Sequence, residues 1–293
     1  MKKIKIGNKI ISEESPVFFI AEIGINHNGS LKLAKQMIDM AAMLGADAVK
    51  FQKRTPELCV PVEVRDRIRE TPWGTMTYFD YKKKIEFGKK EYQEIDKYCK
   101  EKGILWTASA WDIPSFDFIE SFDVPFHKVA SAKLTDKEIL ERIKSTKKPV
   151  FLSTGGSTSE QIKKAVCLLE ETNPLVILHC NSGYPARSEE LNLKVIETLK
   201  KEFSNHIIGY SGHEEGITAS ITAATLGAKV VERHITLDRA MWGTDQAASI
   251  EYSGLRRLIR DLKKLPLWLG DGKKIVYETE KKVMEKLRNK DTI

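Results

Sequence analysis

The sequence predicts a single α/β domain folded as a (β/α)8 TIM barrel. Its 293 residues, 41% of them hydrophobic, suffice for one large core of the size usual for such barrels. Short apolar runs rich in β-branched residues alternate with amphipathic segments, which is typical of a parallel sheet whose strands are joined by helices. Eight such runs favour a closed barrel over an open sheet: VFFIAEIGI at 17–25, AVKFQ at 48–52, ILWTAS at 104–109, FHKVAS at 126–131, PVFLST at 149–154, LVILHC at 175–180, HIIGYS at 206–211 and KVVERHI at 229–235.

Three further segments surround or interrupt these repeats. Residues 1–16 predict a β-hairpin with Gly7 and Asn8 at its turn, placed where it could cap the barrel floor. The barrel is expected over residues 17–268, and residues 269–293 form a charged C-terminal tail. Residues 54–88 form a long insertion after the second strand. Because barrel active sites are built from loops at the carboxyl ends of strands, this insertion should cover the site.

Composition excludes several classes of protein. The first residues lack the apolar run of a signal peptide, and no segment approaches the ~20 apolar residues of a membrane span, so a cytoplasmic protein is expected. The four cysteines have no CxxC spacing, which predicts reduced thiols that serve in packing. The net charge of +7 comes from scattered lysines without a nucleic-acid-binding motif, and an anionic small substrate is a sufficient explanation.

Residue parity within the strands places polar side chains inside the barrel. Residues two apart in a strand share a face, so Lys50 and Gln52 face one side while Val49 and Phe51 face the other. Buried ions without partners are costly, so the inward groups must pair with one another, with a metal or with a bound anion. The other inward polar residues are Glu22, Lys128, Ser153, Ser211 followed by His213, and Glu232 with His234.

His213 and His234 are candidate metal ligands. They end adjacent strands, which lie about 5 Å apart, so both imidazoles could reach one ion. Two ligands leave coordination positions open, and with the carboxylates of Glu22 and Asp245 nearby this suits a labile Mn²⁺, Mg²⁺ or Co²⁺ that acts as a Lewis acid. The alternative interpretation is that each histidine is a hydrogen-bonded core residue.

Lys50 and Lys128 predict an anion-binding cage at the barrel mouth. With the hydroxyls of Thr107, Ser131, Ser153 and Ser211 they could hold a phosphate and a carboxylate. Two alternatives remain open from the residues alone: an inward ion pair of Lys50 with Glu22, and a desolvated lysine that forms a Schiff base. The STGGST segment after the fifth strand is a weak signal of a phosphate-binding loop, because it fits an ordinary turn equally well.

The chain resembles a known family in segments that occur in order at successive strand ends. These segments are AEIGINHNGS, KFQK, KVAS, LSTGG, GYSGHEEGI and LGAKVVERHITLD, and together they resemble the sialic acid synthase family, which includes N-acetylneuraminate and N-acylneuraminate-9-phosphate synthases. The match covers nearly the whole barrel. TPWGTMTYFDYKKKIEF and WTASAWD are more similar to the animal-type synthases, which use a phosphorylated N-acetylmannosamine, than to bacterial enzymes acting on the free sugar.

The resemblance implies a metal-dependent condensation of phosphoenolpyruvate with an open-chain aldose, giving a 3-deoxy-2-keto sugar acid and phosphate. The implied acceptor is N-acetylmannosamine, its 6-phosphate or a related mannose derivative, and the implied metal on His213 and His234 is Mn²⁺ before Mg²⁺ or Co²⁺. Glu22 would orient or deprotonate water or a hydroxyl. The residues implied for phosphoenolpyruvate are Lys50, Thr107, Lys128, Ser131, Ser153, Ser182 and Ser211, and those for the sugar are Gln52, Tyr184, Asp245 and Lys133.

The sequence departs from the family pattern on the sugar side. Members usually carry a C-terminal antifreeze-like domain whose arginine enters a neighbouring subunit's site; the resemblance here covers the barrel only, so we expect no such arginine, and a homodimer would use the barrel surface. Lys133 stands where many relatives have an acidic residue, and Gln246 where a histidine is common. The added charge of Lys133 predicts an anionic aldose.

Two other functions remain open. The chain could make another 3-deoxy-ulosonic acid from a different aldose or aldose phosphate, because every phosphoenolpyruvate residue would be shared. It could also be a catalytically silent barrel that binds a sugar acid. The complete inward set argues against the silent barrel: Glu22, Lys50, Lys128, His213 and His234.

Overall fold

The computed structural model describes residues 2–288 of the chain. The strands, in chain order, are β1 (Lys3–Ile6), β2 (Lys9–Ser12), β3 (Phe18–Gly24), β4 (Ala48–Lys53), β5 (Ile68–Thr71), β6 (Gly74–Thr77), β7 (Leu105–Ala110), β8 (His127–Val129), β9 (Val150–Ser153), β10 (Leu175–Cys180), β11 (Ile207–Gly212) and β12 (Val230–His234). The helices are α1 (Leu31–Leu44), α2 (Pro56–Cys59), α3 (Val62–Arg65), α4 (Tyr78–Ile85), α5 (Lys89–Lys102), α6 (Ile113–Glu120), α7 (Lys137–Lys144), α8 (Ser159–Leu169), α9 (Val195–Glu202), α10 (Thr218–Thr225), α11 (Tyr252–Leu269) and α12 (Glu278–Leu287).

The central sheet has eight parallel strands in the order β7-β4-β3-β12-β11-β10-β9-β8. Its two end strands come together, because the hydroxyl of Thr107 in β7 donates to the carbonyl oxygen of Phe126, directly before β8, at 2.8 Å. The sheet therefore rolls into a barrel with the connecting helices outside. This confirms the predicted (β/α)8 fold, and each of the eight predicted runs overlaps one barrel strand.

Alternation along β12 shows how the strands divide inside from outside. Val230 belongs to the apolar cluster that fills the lower barrel interior, whereas Val231 belongs to the outer cluster that also contains Leu255 and Leu258 of α11. Glu232 and His234 share the inward parity of Val230, as the sequence predicted, and both are buried. The polar residues thus occupy the upper interior, above an apolar lower layer.

The β1–β2 hairpin closes the lower end of the barrel. Its turn contains Gly7 at a φ of +56°, a left-handed conformation that favours glycine. Ile6 and Ile11 are fully buried and belong to the same apolar cluster as Phe126 and Phe151. The predicted hairpin is therefore confirmed, and polar chemistry is confined to the opposite end.

The insertion at 54–88 contains α2, α3, the β5–β6 hairpin and α4. Trp73 and Tyr81 of the insertion lie against Trp242, with ring centres 6.4 and 5.0 Å apart. Because Trp242 follows β12, the insertion borders the carboxyl end of the barrel, in agreement with its predicted place.

The chain continues past the barrel into α12, in which no residue is buried. The predicted tail at 269–293 therefore contains a helix in its described part, and residues 289–293 lie outside the described residues. The division into hairpin, barrel and tail within one domain stays a prediction. Within residues 2–288, no helix is both long and apolar enough to cross a membrane.

Candidate active site

A cavity of about 140 Å³ opens at the carboxyl ends of the barrel strands, and we call it the site cavity. All predicted site residues line it except Thr107, Lys133 and Asp245. The predicted residues that it brings together are Glu22, Lys50, Gln52, Lys128, Ser131, Ser153, Ser182, Tyr184, Ser211, His213 and His234.

Thr107, implied by the resemblance for phosphoenolpyruvate, is not among the residues that line the site cavity. Thr107 is fully buried and its hydroxyl donates to the carbonyl oxygen of Phe126, directly before β8. Ser109, two residues further along the same face, lines the cavity instead and accepts a hydrogen bond from Lys50 Nζ at 3.0 Å. Residue parity identifies the face of a strand that a side chain occupies, but not how deep the side chain lies in the barrel. This depth decides which of the two hydroxyls, that of Thr107 or that of Ser109, lines the cavity.

Lys133 and Asp245 lie beside the site cavity rather than on its lining. Lys133 Nζ pairs with Asp136 Oδ2 at 3.0 Å and lines a second cavity of about 540 Å³, the side cavity, which shares Trp111 and Ala132 with the first. Asp245 Oδ2 stands 4.0 Å from His234 Nδ1. The charge of Lys133 is therefore already compensated by a neighbour three residues away.

Several lining residues were not predicted. Cys180, expected to serve in packing, lines the site cavity because it ends its strand with inward parity. For Glu232 the sequence predicts an inward side chain but no specific role. Trp111 and the alanines follow strand ends, where parity no longer applies. The unpredicted lining residues are Ser109, Trp111, Ala130, Ala132, Cys180 and Glu232.

Two lysines and two glutamates form a buried network at the bottom of the site cavity. Lys50 Nζ lies 2.8 Å from Glu22 Oε2 and 3.9 Å from Glu232 Oε1. Lys128 Nζ lies 3.3 Å from Glu232 Oε1, which also accepts a hydrogen bond from Ser211 at 3.0 Å. The expected alternative of a Lys50–Glu22 ion pair is therefore present, and both residues still line the cavity.

The two carboxyl groups of this network differ in charge. Burial raises the pKa of Glu22 to about 7, with the charge of Glu232 adding to burial and Lys50 opposing it. Burial alone would raise the pKa of Glu232 too, but Lys128 and Lys50 lower it to about 2. At neutral pH the site therefore holds one firmly ionised carboxylate and one, Glu22, that readily takes up or gives up a proton.

Hydroxyl groups surround the loop after β9. A side chain at Gly155 would collide with the hydroxyls of Ser182 and Ser131, so only glycine lets both approach. The backbone N–H of Gly155 donates to Ser131 Oγ at 3.1 Å, and the buried Ser153 hydroxyl has no hydrogen-bond partner among the described residues. These groups form a cradle of donors beside Lys128, suited to an anion.

The two histidine rings stand at the ends of β11 and β12 with centres 5.5 Å apart. His213 Nδ1 donates to the carbonyl oxygen of Asn181 at 2.7 Å, so Nε2 carries the lone pair and accepts from the Tyr184 hydroxyl at 2.8 Å. Burial lowers the pKa of His213 and of His234 to about 4. Both imidazoles are therefore neutral at pH 7.

This pair fits a labile metal better than a permanent one. Neutral imidazoles are the form that binds metals, and the carbonyl on His213 Nδ1 is the kind of partner that orients a ligating ring. His234 Nδ1 is buried without a hydrogen bond. Within the described part of the chain, no group of three or more His, Cys, Asp or Glu could hold an ion. His213 and His234 would be the residues that hold a metal, His213 through the Nε2 that now accepts from the Tyr184 hydroxyl.

Comparisons with known proteins find relatives along most of the chain. The NeuB family model matches residues 37–274. N-acetylneuraminate-9-phosphate synthase of Homo sapiens is 39% identical over 280 residues, which span 94% of this chain and 78% of that protein. N,N'-diacetyllegionaminic acid synthase of Campylobacter jejuni is 34% identical over 269 residues, spanning 90% of this chain and 80% of that protein.

A solved structure extends the likeness to three dimensions. The N-acetylneuraminic acid (sialic acid) synthetase of Leptospira borgpetersenii serovar Hardjo-bovis, in complex with citrate, superposes with a TM-score of 0.85 and 33% identity, over 97% of this chain and 96% of that one. The resemblance found in the sequence motifs is confirmed. The chain belongs to the NeuB family.

Proposed function

We propose that this chain joins phosphoenolpyruvate to an open-chain aldose and releases phosphate, as a nonulosonate synthase. The observation that carries the proposal is the site cavity itself, in which a cradle of lysines and hydroxyls adjoins two neutral histidines. The relatives support it, because those named above are synthases of N-acetylneuraminate, its 9-phosphate and a legionaminic acid.

The cradle is suited to the carboxylate and phosphate of phosphoenolpyruvate. Lys128 and Lys50 supply positive charge, and the hydroxyls of Ser131, Ser153 and Ser182 supply neutral donors. Because Glu22 has a pKa near 7, it can take up a proton when the substrate arrives and release Lys50 from its ion pair. Lys50 then becomes available to the anion.

The histidines face the place where an aldehyde would react. A divalent metal on His213 and His234, Mn²⁺ in our proposal and Mg²⁺ or Co²⁺ as alternatives, would supply a Lewis acid that polarises the aldehyde oxygen. Gln52 donates to Glu22 Oε1 at 3.2 Å and Tyr184 covers His213, so both side chains are placed to orient the sugar. We propose the same role for Asp245 at the rim.

The reaction balances without a further reactant. C3 of phosphoenolpyruvate forms the new carbon–carbon bond to the aldehyde carbon, and a water oxygen adds at C2. The bond between C2 and the phosphate oxygen then breaks. The two protons of the water end on the new hydroxyl and on phosphate, and Glu22 is the group placed to move one of them.

The test is acceptor-dependent phosphate release. Chelator-stripped protein is mixed with phosphoenolpyruvate, Mn²⁺ and a panel of aldoses with and without terminal phosphates, and the product is weighed by mass spectrometry. We expect release that requires both metal and acceptor, and loss of at least about 100-fold in kcat for His213→Ala, the magnitude of a removed electrophilic group. Phosphate release that is independent of metal or of acceptor would contradict the proposal.

A Schiff-base aldolase is the second candidate, because burial lowers the pKa of Lys128. The ion pair of Lys128 with Glu232 at 3.3 Å opposes it, since it holds the ammonium form. Borohydride reduction in the presence of pyruvate distinguishes the two functions. We expect no pyruvyl adduct on the intact protein, and an adduct at Lys128 would favour the aldolase.

The cytoplasmic location, the absence of a nucleic-acid partner and a homodimer through the barrel surface remain predictions.

A further inference from the structure

The mouth of the site cavity carries an arginine that the proposed reaction does not use. Arg54 follows β4, and its Nη2 donates to Gln52 Oε1 at 2.5 Å. Its guanidinium carbon lies 4.1 Å from the centre of the Trp111 ring, a stacked cation–π contact. Gln52 and Trp111 both line the cavity, so Arg54 is held at its edge by two lining residues.

The charge of Arg54 has no carboxylate partner. Among residues 2–288, no carboxylate oxygen lies within 4.0 Å of its guanidinium. The nearby carboxylate of Glu86 bonds Lys53 Nζ at 3.1 Å and the backbone N–H of Arg54 at 3.2 Å instead. An arginine fork that meets only one neutral amide oxygen keeps most of its capacity for an anion.

Two buried donors in this stack also lack acceptors. Arg54 Nη1 and the indole Nε1 of Trp111 are buried without a hydrogen bond among the described residues. Buried donors are normally satisfied, and an unsatisfied pair on two touching side chains at a cavity calls for an explanation. After a small shift of the stacked Arg54 and Trp111 side chains, a ligand rich in oxygen atoms would accept hydrogen bonds from both donors.

Other cations of the insertion strengthen the positive potential at this place. Burial and the charges of Arg54 and Arg69 together lower the pKa of Lys82 to about 8, against the opposing charges of Asp245 and Glu86. A bound anion would relieve this mutual repulsion.

Arg54 lies farther along the chain direction of β4 than the phosphoenolpyruvate cradle does, so the two positions are separate. Lys50, Gln52 and Arg54 share one face of an extended segment, and four extended residues advance roughly 13 Å. Lys50 serves the bottom of the cavity, and Gln52 in the middle is the residue proposed to face the sugar. A ligand group at Arg54 is therefore the end of the acceptor farthest from its aldehyde.

We propose that Arg54, stacked on Trp111, binds a phosphate monoester at the far end of the acceptor, so that the substrate class is a phosphorylated aldose. The inference rests on the proposed synthase function and names its acceptor. It assigns recognition of the anion to Arg54 at the mouth, where the side-chain positive charge is unpaired, rather than to Lys133, whose charge is compensated by Asp136 in the side cavity.

The experiment compares kcat/KM for N-acetylmannosamine and for its 6-phosphate in the wild type and in Arg54→Gln. We expect the wild type to prefer the phosphorylated sugar. Arg54→Gln should lower kcat/KM for that sugar by about 10- to 100-fold, the range for a lost charged hydrogen bond, mainly through KM. The neutral sugar should change by less than about threefold, and Arg54→Lys should restore part of the preference.

Arg65→Gln is the matched control. Arg65 belongs to the same insertion and stacks on Phe79 at 4.9 Å, but its side chain bonds the carbonyls of Glu57 and Val60, away from the cavity lining. Arg65→Gln removes the same charge as Arg54→Gln, and the preference for the phosphorylated sugar should persist in it. Circular dichroism verifies that all variants are folded.

Three results would overturn the inference: a wild-type preference for the neutral sugar, an equal loss for both sugars in Arg54→Gln, or loss of the preference in Lys133→Gln instead. If the wild type turned over neither sugar nor any other aldose, the proposed function would fail separately. Calorimetric binding of N-acetylmannosamine 6-phosphate then decides: binding that Arg54→Gln alone abolishes supports the inference, and no wild-type binding overturns it.

Discussion

Glu22 is the single residue whose protonation should control phosphoenolpyruvate binding. Burial raises its pKa to about 7, so below pH 7 it is protonated and leaves Lys50 available, and above pH 7 its carboxylate competes for Lys50 at 2.8 Å. We therefore expect the affinity for phosphoenolpyruvate to fall as pH rises through 7, by at most about tenfold per pH unit for one linked proton. Calorimetric titration on both sides of pH 7 measures it.

Glu22→Gln provides the control for this titration. The amide cannot ionise, so the remaining pH dependence belongs to the substrate and to other groups. Its affinity should depend less on pH than that of the wild type. Identical pH profiles for the two proteins would show that Glu22 does not compete for Lys50.

Gly155 is a second residue with a sharp expectation. Gly155→Ala would drive the new methyl group into the hydroxyls of Ser131 and Ser182 and disturb the cradle. We expect the Kd for phosphoenolpyruvate to rise about tenfold or more with little change in the unfolding temperature. Gly156→Asn is the control, because Gly156 has open space around it and asparagine tolerates its φ of +67°. Equal losses in the two variants would contradict the cradle.

For single residues, the sequence predicts which side chains face into the barrel. It does not predict how deep they lie in the barrel or which groups they contact. Glu22, Lys50, Lys128 and the two histidines follow from strand parity alone. Thr107 does not line the site cavity because Ser109 lies nearer the mouth on the same face. The pairing of Lys133 with Asp136 depends on the turn between β8 and α7, whose geometry no periodic pattern specifies. Arg54 lies beyond the strand, where alternation ends.

Among the elements, the strands were predictable and the insertion was not. Barrel strands such as β3 and β10 are largely apolar runs buried on both faces, and such runs stand out against amphipathic helices. The insertion at 54–88 instead builds short elements with little burial, and no residue of the β5–β6 hairpin is buried. Its structure follows from contacts with Trp242, which lies far away in the sequence.

The ends of β11 and β12 are joined by an ion pair that holds the two histidines in place. Glu214 follows His213, Arg233 precedes His234, and Arg233 Nη1 lies 2.7 Å from Glu214 Oε1 in a fully buried position. The hydroxyl of Tyr210 also donates to Glu214 Oε2 at 2.7 Å. Buried contacts thus link the two strand ends that carry the histidines.

Arg233→Met should therefore destabilise the whole barrel. It leaves the buried Glu214 carboxylate without its counter-charge, which costs about 3–5 kcal/mol in the free energy of unfolding. Urea denaturation measures this loss. Arg239→Met is the control, because Arg239 is exposed and pairs with Glu215 at 3.3 Å on the surface, where a pair contributes less than about 1 kcal/mol. Comparable losses of unfolding free energy in both variants would contradict a stabilising role of the buried Arg233–Glu214 pair between the two strands.

The residues that stabilise the fold and the residues that line the site cavity lie at opposite ends of the barrel axis. The apolar lower interior, closed by the β1–β2 hairpin, contains Ile6, Ile11, Phe126 and Phe151, and the site cavity lies at the other end. Loops at the carboxyl ends can therefore differ among barrel enzymes while the floor maintains the fold.

Ile6→Ala tests this separation. Ile6 is fully buried, and its truncation should lower the free energy of unfolding by about 2–5 kcal/mol through lost burial and a residual cavity. Because the cavity forms at the floor, kcat/KM for the proposed condensation should stay unchanged at temperatures where the variant is folded. Ile10→Ala in the same hairpin, where the side chain is 59% exposed, should change neither quantity appreciably. A large loss of kcat/KM in folded Ile6→Ala would contradict this separation. It would mean that packing at the barrel floor affects the position of the histidines through the strands.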